Sequence, residues 1–160
     1  MSSILKVDTI QTTAGAAPTT KDLGFAAGSV IQVVQGLGNT GRQTYSSASY
    51  QDIITVSITP KFSTSKILVT THTSLTRTAA AYINGQITRG STQILSLDTQ
   101  AGYIAGLTNN EHSMGSLSGE ILDAPNTTSA TTYRLQLKVV NSGSIFIDGQ
   151  PSITAMEIAQ

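Results

Sequence analysis

The chain has 160 residues, 39% of them hydrophobic, which suits a single folded domain of ordinary size. Charged residues make up only 11%, and nine basic residues balance nine acidic ones with no basic stripe, so nucleic acid is not an expected partner. There is no cysteine, which removes disulfides, thiol nucleophiles and thiolate metal sites, and the longest apolar runs are far too short for insertion into a membrane.

Ser and Thr take the place of the missing charges and are spread along almost the whole length. A near-neutral surface of this kind repels its own copies less than a charged one, so association is easier. Residues 1–11 lack the basic start and continuous apolar core of a secretion signal, and together with the absent cysteines this points to folding in a reducing cytoplasm.

Residues 1–27 read as an arm. Ser3–Ile10 can form one strand, with Leu5, Val7 and Thr9 on one side and Ile4 and Ile10 on the other. The small, turn-prone stretch Thr12–Thr20 follows as an extended linker. A lone strand is not stable in water, so this one either returns to the main domain or pairs with another copy or another protein.

Residues 28–160 read as a β-rich head. Ser29–Gln35 is a strand ending at the loop Gly36–Gly41. Tyr50–Thr59 alternates Ile54, Val56 and Ile58 against Thr55, Ser57 and Thr59 until Pro60, which has no amide donor, stops it. Lys66–Thr73 comes next. Ala81–Arg89 is either one strand or a hairpin, since its central Asn84-Gly85 is a strong turn signal. Gly90-Ser91-Thr92 is a turn leading to Gln93–Leu97. Ala101–Asn110 is Gly-rich and reads as a loop with a short strand, and Met114–Leu122 is a further strand. Tyr133–Val140 has the clearest pattern: Tyr133, Leu135, Leu137 and Val139 face one way, and Arg134, Gln136 and Lys138 the other. Ser144–Asp148 and Ser152–Ile158 are the last two strands. Eight or so short strands at this spacing, with no sustained helical period, predict an antiparallel β-sandwich or barrel, jelly-roll-like in its winding.

Chemical motifs are sparse. The only histidines, His72 and His112, have no ligand-like spacing, so no metal site is expected. The nine carboxylates are scattered, and Asp98, Asp123 and Asp148 fall in turn contexts that favour bonding to their own backbone. Gly36-Leu37-Gly38-Asn39-Thr40-Gly41 has GxGxxG spacing, but no helix signal follows to supply the anion-binding N-terminus that gives this motif its chemistry. No catalytic residue and no cofactor is expected. Tyr45 and Tyr103 are read as loop aromatics, with Asn39, Arg42, Asn109 and Asn110 beside them as hydrogen-bonding residues. Together they form candidate contact loops for a sugar or protein partner, or are ordinary loop residues.

Several segments resemble virion proteins of tailed phages, of the marine and cyanobacterial tail-fibre and structural type. They are Ile4–Ile10, Gly28–Val34, Ile58–Lys61 with Ser65–Val69, Arg89–Thr92, Leu122–Tyr133 and Ser152–Ile158. The resemblance implies a compact, trimer-forming jelly-roll head similar to the C1q and tumour-necrosis-factor type, preceded by a virion-attachment arm and exposed on the particle made in a bacterial host. It makes Ile4, Leu5, Val7 and Ile10 the expected attachment residues, through strand addition to a neighbouring virion protein. The expected function is that of a non-enzymatic, homotrimeric virion protein, tail-fibre-like or receptor-binding, with a host surface glycan or protein as candidate ligand. A capsid decoration or head fibre is the alternative, and a glycan-cleaving spike enzyme the second alternative.

Overall fold

The computed structural model describes residues 24–78, 82–99, 112–140 and 143–160. These contain ten strands and no helix: β1 Val30–Leu37, β2 Gln43–Tyr45, β3 Gln51–Ile58, β4 Lys66–Thr78, β5 Ile83–Arg89, β6 Thr92–Thr99, β7 His112–Asp123, β8 Thr131–Val139, β9 Ile145–Ile147 and β10 Ser152–Ile158. Every pairing between them is antiparallel.

The ten strands occupy eight positions, because two long strands are each interrupted once. β1 and β2 together run against β10 and β9 together. β4 takes β10 along its first half and β9 near its end, with β7 along its other edge. Sheet A therefore has the order β7, β4, β10 with β9, then β1 with β2. Sheet B has the order β3-β8-β5-β6. Apart from the β5–β6 hairpin and the two interruptions, successive strands cross from one sheet to the other. Two four-position sheets wound in this way are a jelly-roll sandwich.

Alternation of side chains fills the space between the sheets. Sheet A contributes Ile67, Val69, Leu75, Leu117, Ile145, Ile147, Ile153 and Ala155, and sheet B contributes Ile54, Val56, Ile58, Ile83, Ile87, Tyr133, Leu135, Leu137 and Val139. Thr71 and Thr73 share the inward phase of β4 and are buried with them. The Thr71 hydroxyl meets its hydrogen-bonding need by donating to the Ser152 carbonyl at 2.9 Å.

Of the two readings of Ala81–Arg89 the single strand holds, and some other elements differ from the sequence reading. β5 passes straight through Asn84-Gly85, and the hairpin closes at the Gly90-Ser91 turn. Gly90 takes a φ of 58°, as the first central residue of a two-residue hairpin can. Gly85 is needed for packing instead. A Cβ there would lie 2.9 Å from Leu117 Cδ2 and 3.0 Å from Leu137 Cδ2. Gly36 and Leu37 belong to β1, so the glycine-rich loop begins at Gly38. Tyr45 lies in strand β2, paired with Ile145, not in a loop. β4 runs five residues beyond the expected Thr73 because β7 pairs with it to the end. The arm strand Ser3–Ile10 and the Ala101–Asn110 segment lie outside the described residues.

Two glycines set how closely strands approach. A Cβ on Gly36 of β1 would collide with the backbone carbonyl of Thr55 on β3, where the two sheets meet at one edge. A Cβ on Gly119 of β7 would meet Leu97 Cδ2 at 2.5 Å, the end of a side chain that can rotate away. Gly36→Ala is therefore expected to cost about 2 to 3 kcal/mol, and Gly119→Ala about 1 kcal/mol. Urea unfolding of both variants measures the difference; equal losses would show that the β1–β3 edge is free to open.

Candidate interaction surfaces

The two sheets present very different outward faces. On sheet B, Asp52, Thr55, Ser57, Asn84, Gln86, Thr88, Gln93, Ser96, Thr132, Arg134, Gln136 and Lys138 occupy the outward register positions. Several of them bond to one another across the strands, while the Thr88 hydroxyl is buried without a hydrogen-bond partner. Gln86 Nε2 donates to Gln136 Oε1 at 2.7 Å, Gln136 Nε2 to Asp52 Oδ1 at 2.6 Å, and an Arg134 amino group to Asp52 Oδ2 at 2.7 Å. Lys138 Nζ sits 4.6 Å from the centroid of the Tyr50 ring. This face has the polar character expected of one that meets water.

Sheet A carries apolar residues on its outward face as well, in one row that crosses the sheet between mixed and polar rows. The register places Val33, Met156, Leu68 and Leu122 side by side, one from each strand position, in a row crossing the entire sheet. Val30, Ile158 and Lys66 form the row on one flank. On the other flank lie Gln35, Thr154, Thr70 and Glu120, and beyond them Leu37, Ser152, His72 and Ser118. Thr70, Ser118 and Glu120 border an open hollow of about 410 Å³. The ends of the apolar row are the most open to solvent: Val33 is 56% exposed and Leu122 48%.

The described chain enters sheet A beside this face. The Gly28 amide donates to the Ala159 carbonyl at 2.9 Å, and the Phe25 ring meets Phe62 edge to face with centroids 6.2 Å apart. The corner after β3 is held by Glu157, which is fully buried on the inward face of β10. Its Oε1 accepts the amides of Lys61 at 2.8 Å and Phe62 at 3.2 Å, and its Oε2 accepts Gln32 Nε2 at 2.6 Å. A buried carboxylate without partners would be costly; three donors make this one a clip between β1, β10 and the corner. Its inward position could be read from its phase, two residues after Ala155 and four after Ile153.

A second linked cluster sits at the other corner of the sandwich. An Arg89 amino group donates to both Asp123 oxygens at 2.8 and 2.9 Å and to the Ala124 carbonyl at 3.2 Å. The Tyr133 hydroxyl donates to Asp123 Oδ2 at 2.8 Å. Arg89, Pro125, Thr127, Thr132 and Arg134 line a shallow hollow of about 380 Å³ beside it. Burial, reinforced by the Asp123 carboxylate, pushes the Tyr133 hydroxyl far above its ordinary value of 10.0.

The expected contact-loop residues are placed as follows. Asn39 and Arg42 are exposed where β1 breaks before β2. The Arg42 guanidinium pairs with Asp148 and lies 4.8 Å from the centroid of the Phe146 ring. Tyr45 packs half-buried against the core, and burial raises its hydroxyl pKa. Tyr103, Asn109 and Asn110 lie outside the described residues, as do Ile4, Leu5, Val7 and Ile10 of the arm. Among the described residues no three His, Asp or Glu side chains gather as a metal site would require. Asp52, Asp123, Asp148 and Glu157 are each engaged in the bonds described above. The outward row of sheet A was not singled out from the sequence. Its signal is apolar residues in both phases of one strand, as in Ile67-Leu68-Val69 and Ala155-Met156 with Ile158.

No protein-family model matches the sequence, and no curated protein matches it. Among solved structures, the chain is similar to the VP2 subviral particle of infectious bursal disease virus, at 9% identity and a TM-score of 0.50 over 97% of this chain and 37% of the other. The Gx strain of the same virus gives 8% identity and 0.48 over 97% and 37%. Dimeric latent PorU from Porphyromonas gingivalis gives 13% and 0.45 over 85% and 14%. The chain thus spans little more than a third of the VP2 chains it resembles. The first of these similarities supports the sandwich fold.

The Tyr133 cluster makes a pH-dependent prediction. A hydroxyl whose pKa is raised by folding stabilises the fold fully below pH 10 and loses that contribution as pH rises beyond it. Tyr133→Phe should lose about 1 kcal/mol near pH 7, from the bond to Asp123. It should also show a shallower fall in melting temperature between pH 9 and 11 than the parent chain. Parallel falls in the two proteins would mean that Tyr133 ionises freely in the folded state.

Proposed function

We propose that this chain is a non-enzymatic structural protein of a tailed-phage virion, displayed on the particle surface as a homotrimer. In this reading residues 1–27 are the attachment arm and residues 28–160 the head. The observation that carries it is the asymmetry of the sandwich. One outward face is a bonded polar surface suited to water, and the other is an apolar row that a solitary domain would leave wet. The segments resembling tailed-phage virion proteins run from Ile4 to Ile158 and support the same reading. So does the likeness of the fold to a VP2 that builds a subviral particle.

The arm anchors by strand addition, main-chain hydrogen bonds giving affinity and the alternation of Leu5 and Val7 against Ile4 giving register. The end of the head bearing Asn39 and Arg42 is open to a receptor, a glycan or protein of the host surface. That arrangement describes a tail-fibre-like, receptor-binding protein.

Deleting residues 1–11 is expected to leave a head with unchanged circular dichroism and melting that is missing from purified particles. A truncated chain that incorporates at the parental level, or that fails to fold, would overturn the anchoring role. Gold labelling of the head on intact particles then separates a tail position from a capsid one.

A further inference from the structure

The apolar row on sheet A runs from one edge of the sheet to the other. Its two ends, Val33 on β1 and Leu122 on β7, are its most exposed members, while Met156 and Leu68 between them are half-buried. The flanking rows carry one fixed cation and one anion, Lys66 and Glu120, with His72 and otherwise Gln, Thr, Ser and aliphatic side chains. A face with balanced charge neither repels its own copies nor calls for a strongly charged partner. Across the sandwich, the outward positions of sheet B hold the polar residues and intramolecular bonds described above, so only one of the two faces is left with apolar surface to cover.

We infer that the outward face of sheet A is where copies of this chain meet, in a ring closed about an axis parallel to the strands of that sheet. The inference rests on the homotrimer proposed above and names its contact surface. Rotation about such an axis keeps every row at its own height. The Val33–Met156–Leu68–Leu122 row of one copy then meets the same row of the next, and the Gln35–Thr154–Thr70–Glu120 row forms a polar layer beside it. Contacts in a ring are heterologous. The β7 edge of one copy faces the β1 edge of the next, which sets Leu122 against Val33 and the Glu120 carboxylate against the Gln35 amide. The two exposed ends of the row thus cover each other between copies. Within one copy they are three strand spacings apart, about 14 Å, and do not meet.

That separation makes the inference testable on the full chain by sedimentation equilibrium. Val33→Glu and Leu122→Lys each place a charge in the contact and are expected to reduce the mass to one third. Both side chains are exposed, so circular dichroism should stay that of the parent. The double variant should return to the parental mass, because the opposite charges face each other only between copies, and 1 M salt should weaken this recovery. Parental mass in either single variant, or no recovery in the double, would overturn the surface named here while leaving a homotrimer in place. A parent chain that sediments as a monomer would overturn the self-association as well. If that monomer bound a peptide of residues 1–23, and Val33→Glu abolished the binding, the face would belong to the arm.

Discussion

The register in which β10 lies between β1 and β4 sets both faces of sheet A. Ile153, Ala155 and Glu157 point inward in that register, and Thr154, Met156 and Ile158 outward. A shift of one residue would exchange the two sets. It would carry the Glu157 carboxylate out to solvent and leave the amides of Lys61 and Phe62 without their acceptor. It would also turn Met156 and Ile158 into the core and break the apolar row at its second position. The buried carboxylate is thus more than a local clip. It favours the pairing on which both the core and the outward surface depend, because its three donors converge only in this register.

The sandwich spends its polar residues unevenly, and the consequences are physical. On sheet B, Gln86, Gln136, Asp52 and an Arg134 amino group bond to one another across the strands, as do Ser57 and Thr132, which satisfies these groups within the chain. On sheet A one row that crosses every strand holds only aliphatic side chains and methionine, which have no directional needs and gain by leaving water. With a charged content of 11%, the chain has few long-range fields to steer or repel. In the proposed trimer, short-range apolar contact is then the main source of association. The two interruptions of the long strands lie side by side and are bridged by the Arg42–Asp148 pair and by Gln150 donating to the Gly38 carbonyl at 3.0 Å.

Glycine has packing roles here that local propensity does not reveal. Asn84-Gly85 carries a strong turn signature, yet it runs through the centre of sheet B because the space above it is taken by Leu97, Leu117 and Leu137. Gly36 and Gly119 similarly admit a close neighbour, at opposite edges of sheet A. Tyr45 shows the converse: it sits among loop-forming residues but pairs as a strand because Ile145 offers it a partner. In each case a long-range contact decided the conformation, as often happens in β-structure.

The sequence by itself determined the class of fold. Period-two alternation from Ile54 to Ile58 and from Tyr133 to Val139 specifies strands with one dry face, and turn residues between such runs specify an antiparallel sandwich or barrel. Alternation is a local property, so it survives in a single chain read alone. Only the tertiary structure decided which strands are neighbours, that ten strands fill eight positions, and that Val33, Met156, Leu68 and Leu122 line up. Those four residues are contributed by strands far apart in the chain, and none stands out in its own segment. A row across a sheet exists only through register, and register is set by pairing between distant strands.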